Sequence, residues 1–251
     1  MSPLLLAELA TEFHQFSMMH GLVVVVCFGT MALACWAGLH WRGTTLEKRG
    51  RMATGIAALV LLVVYNWIYL APGRFNVYYS LPLHVCDIAG WIAAFALIFE
   101  KRWLKTTVYY FGLVLSSQAF IQPVLVDGPA YATFWCFWGL HLLIVGVGVY
   151  AVAALNYRPT WRDFWWAILA MMLYTAVMMP ANAYWGLNYG YIGPSKPDRP
   201  TLIDVLGPWP LRVLWMALMA AFVFAIATAM WARNRRRAGA GDGGVVDSLR
   251  A

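Results

Sequence analysis

Seven long apolar runs, separated by short polar connectors, dominate the pattern of the chain. They cover about residues 18–40, 52–70, 80–99, 104–123, 132–155, 162–184 and 209–231. A helix needs roughly 20 residues to cross a bilayer core of about 30 Å, and each run is long enough to do so. The pattern therefore predicts an all-α, polytopic membrane protein that folds as a bundle of seven transmembrane helices.

The amino-acid composition supports the same class. Hydrophobic residues make up 62% of the 251 residues and charged residues only 12%, with a mean hydropathy of +0.65. A soluble domain is about half apolar and about a quarter charged. The composition thus excludes a soluble enzyme, a disordered regulator and a secreted module held together by disulfides.

The basic residues indicate the orientation of the bundle and account for the net charge of +7, so we expect no nucleic-acid partner. Because cytoplasmic loops are enriched in Lys and Arg, the C-terminus is expected in the cytoplasm and the N-terminus outside. The external side carries only Arg74, Lys196, Arg199 and Arg212. The cytoplasmic set comprises Arg42, Lys48, Arg49, Arg51, Lys101, Arg102, Lys105, Arg158, Arg162, Arg233, Arg235, Arg236, Arg237 and Arg250.

Three segments are predicted along the chain. Residues 1–17 place Phe13 and Phe16 opposite Glu8 and Glu12, which indicates an amphipathic helix lying on the outer membrane interface. Residues 18–231 form the seven-helix transmembrane domain. Residues 232–251 form a cytoplasmic tail that is first basic and then flexible, because of its run of Gly and Ala.

Polar residues of the apolar runs gather in the outer half of the predicted bundle, which favours a polar cavity there. Polar groups inside a membrane are costly and mark functional sites. The alternative is that they are hydrogen-bonding contacts between helices, worth about 0.6–2 kcal/mol each. Arg212 fits either a lipid phosphate or an ion pair with Asp204. The expected substrate-binding residues are Gln118, Gln122, Asn182, Asn188, Tyr189, Lys196 and Arg212.

The segment LPLHVCD, residues 81–87, carries the most specific candidate chemistry. Ser80 and Pro82 are typical of a helix start, which places Cys86 within the first or second turn. His141 comes from another helix at similar depth and can take the thiol proton as a general base. We therefore predict Cys86 as nucleophile and His141 as base, with Asp87 or His84 as the orienting group. The alternative is a purely structural role, in which Cys86 is a small packing residue.

Four motifs give the chain a family resemblance: LPLHVCD, FWGLHLL, YRPTWRDF and NYGYIGPSKP…TLIDVLGPWP. Over about residues 55–230 it resembles the YwaF-type integral membrane proteins, whose eukaryotic relatives are linked to cysteine-dependent acyl transfer between membrane phospholipids. The resemblance implies that Cys86 accepts the acyl group, that His141 is its base, and that His84, Asp87, Asn188 and Lys196 line the site. It also implies a multi-pass protein of a bacterial cytoplasmic membrane.

Three functions follow as hypotheses. The first is a membrane acyltransferase or lipid hydrolase with an acyl-cysteine intermediate, needing no cofactor and no obligate protein partner, and taking membrane lipids as its partners. The second is a metal site, since His84, Cys86, Asp87 and His141 are ligand types for zinc or another transition metal. The third is a module that binds or transports an external ligand in the same cavity.

Overall fold

The computed structural model describes residues 11–194 and 202–248, and within them the chain is helical. The α-helices are α1 (Met18–His40), α2 (Thr45–Leu70), α3 (Val85–Phe99), α4 (Arg102–Thr107), α5 (Ala132–Ala153), α6 (Trp161–Trp185) and α7 (Leu211–Ser248). A π-helix (Val108–Leu115) and a 3₁₀ turn (Ser116–Phe120) continue α4, and 3₁₀ turns at Tyr189–Tyr191 and Leu202–Leu206 lie between α6 and α7. The all-α prediction is confirmed.

Five of these helices are long and apolar enough to cross a membrane. They are α1, α2, α5, α6 and the stretch Leu211–Ala232 of α7, while α3 is a shorter apolar helix of 15 residues. Large apolar side chains such as Val25, Val63, Trp165 and Phe222 are exposed on the perimeter of the bundle. Exposed apolar surface on this scale is suited to lipid, so the chain is an integral, multi-pass membrane protein. The count of seven spans and their orientation stay predictions.

Helix α5 lies at the centre of the bundle and contacts α1, α3 and the π-helix, while α2 packs mainly on α3. The π-helix approaches α5 so closely that two glycines are required. A Cβ on Gly112 would lie 2.8 Å from the carbonyl oxygen of Ile144, and one on Gly148 would lie 2.7 Å from Cβ of Leu113. The run at 104–123 is therefore a composite helix rather than one regular α-helix, and π-turns of this kind are frequent at functional sites.

A buried arginine closes one end of the bundle, which we call the basic end. Arg51 of α2 is paired with Glu47 at 2.9 Å and with Glu100, and it also donates to the carbonyl of Leu97. The Tyr150 hydroxyl of α5 donates to Glu47 at 2.8 Å. A buried charge must be paired and hydrogen-bonded, and this network meets that need while joining α2, α3 and α5.

A second ion pair at the basic end joins α4 to α6. Arg102 donates to Asp163, which also accepts hydrogen bonds from Thr106 and from Thr160, the N-cap of α6. The hydrogen bond that Arg102 donates to Asp163 holds the pKa of Arg102 above its usual value. The capping box that begins α6 is thus also a tertiary contact.

The segment before α1 differs from its predicted form where it is described. Residues 12–17 form an extended stretch and a turn, and the backbone N–H of Phe13 donates to Val126 at 2.8 Å. The Phe13 ring is 1% exposed and packs against His20, Phe134 and Trp138, whereas Phe16 is 78% exposed. Phe13 is therefore part of the core, because it fills an aromatic pocket between α1 and α5. The interfacial role of residues 1–17 remains a prediction.

Candidate functional site

The N-terminus of α3 carries the central residues of the site. The helix begins at Val85, three residues later than Pro82 suggests, with His84 as the extended N-cap residue. Oδ2 of Asp87 accepts a hydrogen bond from the backbone N–H of His84 at 3.1 Å. A carboxylate in the first turn complements the positive end of the helix dipole. Cys86 is consequently held in the first turn, where it is half-buried.

His84 is held by the loop that follows α6. The backbone N–H of Gly190 donates to Nδ1 of His84 at 3.3 Å, and the imidazole packs between the rings of Tyr189 and Tyr191. Because Nδ1 accepts, a neutral His84 carries its proton on Nε2. His84 is therefore a hydrogen-bond donor at the site rather than a base.

Tyrosines surround Cys86 and Asp87. The Tyr65 hydroxyl of α2 donates to Oδ1 of Asp87 at 3.3 Å, so both carboxylate oxygens of this buried residue have a donor. Tyr174 of α6 donates to the carbonyl of Leu83 at 2.7 Å. Burial raises the pKa of the Tyr191 hydroxyl, and the nearby Cys86 and Asp87 raise it further. The hydroxyls of Tyr65 and Tyr174 thus hold residues on either side of Cys86, namely Asp87 and Leu83.

His141 is fixed by its own helix. Its Nδ1 lies 2.8 Å from the carbonyl oxygen of Phe137, which can only accept, so Nδ1 carries the proton. Nε2 is then the unprotonated nitrogen, and in the described part of the chain it has no hydrogen-bond partner. The group that orients His141 is thus the Phe137 carbonyl, whereas Asp87 and His84 contact each other. A neutral imidazole with a free lone pair is the form required of a general base.

Cys86 and His141 lie on helix faces that pack together. On α3, Cys86 lies one turn before Gly90 on the same face, and a Cβ on Gly90 would lie 2.6 Å from Leu140 and 3.9 Å from Ile144 of α5. On α5, His141 precedes Ile144 by three residues and shares its face. Leu140, which makes the nearer of these two contacts, directly precedes His141, so His141 lies at about the level of Gly90 and Cys86 about one turn before it. Among the described residues, no hydrogen bond joins them directly.

Four of the predicted substrate-binding residues hold the loop 187–193. The fully buried carboxamide of Asn182 bonds both the N–H and the carbonyl of Tyr189, at 3.1 and 2.8 Å. The Tyr189 hydroxyl bonds Val77 and Leu81. Oδ1 of Asn188 accepts from Gly193, whose carbonyl accepts from Arg212. Their contacts position the loop against α3 and α7, and contact with a substrate stays a prediction.

The remaining predicted residues are more dispersed. Gln118 is exposed and lies within the 3₁₀ turn that ends the composite helix, and the half-buried Gln122 follows that turn by two residues. Lys196 and the side chain of Asp204 lie outside the described residues, so the proposed pair of Asp204 with Arg212 has no structural description. Within residues 11–194 and 202–248, no group of three His, Cys, Asp or Glu side chains is placed to hold a metal ion.

A lateral cavity of about 770 Å³ opens beside the site, between α1 and α2 with α5 as its floor. We call it the lateral groove. Tyr65 and Cys136 border it at the end near Cys86, and Glu47, Arg51 and Tyr150 border it at the basic end. The groove forms because α1 packs on α5 and α2 packs on α3, which leaves the two consecutive helices apart.

Sequence reasoning missed three contributors to the site: Tyr65, Tyr174 and Gly190. Tyr65 had a usable signal, since Tyr65 and Tyr69 are four residues apart and therefore share one face of α2. Gly190 adopts a left-handed φ of +68°, and a Cβ there would lie 2.4 Å from the Tyr174 hydroxyl. The need for glycine at this position arises from a tertiary contact and leaves no local pattern.

Comparison with known proteins identifies the family. No curated protein and no solved structure matches the chain. The TMEM164 family matches residues 9–228, which is most of the chain and includes α1 to α6 and α7 as far as residue 228. The match agrees with the multi-pass helical architecture. The chain therefore belongs to the TMEM164 family of membrane proteins.

Proposed function

We propose that the protein is a membrane acyltransferase or lipid hydrolase that works through an acyl-Cys86 intermediate. The observation that carries the proposal is that Cys86 and His141 come from the two packed helices α3 and α5, with Nε2 of His141 unprotonated. A thiol that such an imidazole can reach is the arrangement of a cysteine nucleophile activated by a base. The resemblance of LPLHVCD and FWGLHLL to YwaF-type motifs supports the same function.

The reaction takes place in two steps. Nε2 of His141 removes the thiol proton, and the Cys86 sulfur attacks the carbonyl carbon of a lipid ester. The ester C–O bond breaks, the leaving alcohol takes the proton from His141, and a thioester remains on Cys86. A second lipid hydroxyl, or water, then gives its proton to His141 and attacks the thioester carbonyl. The carbon–sulfur bond breaks, the acyl product is released, and His141 returns the proton to the Cys86 sulfur. No redox partner is needed.

The oxyanion that forms in each step needs hydrogen-bond donors. His84 supplies a candidate donor, because the bond from Gly190 to Nδ1 leaves the proton on Nε2. The first-turn amides of α3 supply others, since the first four N–H groups of a helix have no partner within it. Gln118 and Gln122 remain candidates from the sequence.

Intact mass spectrometry tests the proposal directly. Protein purified from its native membranes in mild detergent is measured before and after treatment with neutral hydroxylamine, which cleaves thioesters. We expect an acyl adduct that maps to Cys86, is lost with hydroxylamine and is absent in Cys86→Ala. Cys136→Ala is the matched control and keeps the adduct, although Cys136 borders the lateral groove.

If Cys86 stays unmodified after incubation with mixed phospholipid vesicles, covalent catalysis through this residue is wrong. A protein that merely binds a ligand in the same cavity would show no covalent intermediate and no loss of binding in Cys86→Ser.

A further inference from the structure

We infer that the lateral groove is the acyl-chain site of the protein and that it takes one extended chain of about 16–18 carbons. The inference rests on the proposed function for the chemistry at Cys86. It adds where the chain lies, how long it is and which residues limit its length.

Continuity with the candidate site is the first argument. Leu62 and Leu140 line the groove, and they are also the residues that a Cβ on Gly90 would meet, at 3.2 and 2.6 Å. Cys86 lies one turn above Gly90 on the same face of α3. Tyr65 borders the groove and donates to Asp87. Cys86 is therefore within about one helical turn of residues that line the groove, and the chain of a carbonyl held at Cys86 would enter it beside Tyr65.

The length of the groove gives the chain length. Along α5 the groove extends from Cys136 to Tyr150, which at 1.5 Å per residue is about 21 Å. Carbon–carbon bonds of about 1.52 Å at about 111° advance an extended chain by roughly 1.25 Å per carbon. The groove thus accommodates about 17 carbons before the chain meets the network of Glu47, Arg51 and Tyr150.

The volume of the groove, about 770 Å³, is suited to one acyl chain. The same volume holds about 25 groups of the size of a water molecule, at ~30 Å³ each, which is ample for one chain. Small residues on all three helices keep the groove open: Ala34, Ala37, Ala57, Ala58, Gly139 and Gly146.

The charges of the groove suit an uncharged occupant. Among the described residues that line the groove, Glu47 and Arg51 alone are charged, and they are paired with each other at 2.9 Å. The Tyr150 hydroxyl is also directed to Glu47. The walls therefore offer a hydrocarbon chain no unpaired charge, and the ion pair stops the chain at the basic end.

Photo-crosslinking tests the inference without any catalysis. Cys86→Ala protein is reconstituted in phosphatidylcholine vesicles that contain a trace of palmitoyl phospholipid with a diazirine on the last carbon. We expect labelling at the basic end of the groove, around Gly50 and Thr54. Gly139→Leu places a side chain into open space within the groove and should lower this labelling about tenfold, since it removes the contacts of several methylenes. Gly29→Leu, on the exposed face of α1, is the matched control and leaves labelling unchanged.

Chain-length dependence gives a second measurement. Ala57 lies two turns below Tyr65, about 12 Å along α2, so Ala57→Trp should leave room for only about ten carbons. A ten-carbon probe should label this variant as well as it labels the parent, whereas the palmitoyl probe should not. Ala53→Trp, outside the groove on the same helix, is the control and labels like the parent with both probes.

Equal labelling in Gly139→Leu and its parent would overturn the inference, and so would the absence of labelling around Gly50 and Thr54 in the parent. The proposed function fails separately. Labelling of the groove together with an unmodified Cys86 in the wild-type protein would retain the acyl-chain site and remove the reaction. A Cys86 adduct with no labelling of the groove would retain the reaction and exclude the groove as the acyl-chain site.

Discussion

The Tyr65 hydroxyl lies 3.3 Å from Oδ1 of Asp87, and this hydrogen bond joins α2 to the first turn of α3. It also connects the wall of the lateral groove to the residue that follows Cys86. Asp87 is 5% exposed, and its other oxygen is occupied by the backbone of His84. The bond therefore fixes the level at which the groove meets the candidate nucleophile.

Tyr65→Phe should lower the stability of the protein by about 1–3 kcal/mol, because it leaves a buried carboxyl oxygen without a donor. It should also reduce acyl-adduct formation at Cys86. Tyr69→Phe removes a hydroxyl on the same face of α2 that has no hydrogen bond in the described structure, and it should change neither quantity. Thermal unfolding in detergent and intact mass of the same samples check both expectations. Equal destabilisation by the two variants would contradict the assignment.

His141→Gln should slow acylation of Cys86 by about 10²–10⁴-fold, which is the usual contribution of a general base. The rate is followed by the appearance of the hydroxylamine-labile adduct after phospholipid vesicles are added. His20→Gln is the control, because His20 is buried and its two ring nitrogens bond the backbone of Phe16 and Phe120. That variant should lose stability and keep the acylation rate per folded molecule. An unchanged rate in His141→Gln would show that the base lies elsewhere.

Gly190→Ala should be more harmful than Gly186→Ala, although both glycines have a φ of +68°. The shared left-handed conformation costs a residue with a Cβ about 1–2 kcal/mol. At Gly190 the new Cβ would also displace the Tyr174 hydroxyl from the carbonyl of Leu83, which adds an overpacking cost of about 1–3 kcal/mol. At Gly186 nothing lies within 4 Å.

Apparent melting temperatures of the two variants measure this difference. Comparable losses in both would mean that the loop 187–193 moves away from α6 without cost. Adding Tyr174→Phe to Gly190→Ala tests the mechanism, because removing the displaced hydroxyl should recover part of the lost stability.

Phe13→Ala should lower the free energy of unfolding by about 3–5 kcal/mol, the usual cost of removing a buried aromatic side chain. Phe16→Ala, three residues later, should change it by less than about 0.5 kcal/mol, since Phe16 is exposed. The comparison is made by chemical unfolding in the same detergent. If both rings served only to rest on the membrane surface, the two variants would behave alike.

Much of the architecture could be predicted from the sequence because it depends on local patterns. Apolar runs located the long helices, and the joint presence of His84, Cys86, Asp87 and His141 located one end of the bundle. The composite form of the run at 104–123 could not be predicted in this way. It depends on the close approach of Gly112 to the backbone of Ile144, and no local property of either segment encodes that contact.

The roles of individual polar residues were harder to predict than their location. Asn182 and Tyr189 have side chains that could serve a substrate, yet both are engaged in holding the loop 187–193. The sequence gives residue types, whereas the partner of each polar atom depends on contacts between distant segments. Phe13 illustrates the same limit, since a helical wheel places it on a surface and the fold buries it.

The ion pairs of Arg51 with Glu100 and of Arg102 with Asp163 bear on which residues determine the orientation of the chain in the membrane. Each arginine forms an ion pair with an acidic residue elsewhere in the bundle. These ion pairs hold helices together whichever side of the membrane they face. Under the predicted orientation, the electrostatic preference of the basic end for the cytoplasm must then come from exposed cations such as Lys48, Arg49 and Lys101. Neutralising these three side chains would weaken the insertion bias and leave the ion pairs intact, whereas neutralising Arg51 would damage the fold before it affected the direction of insertion.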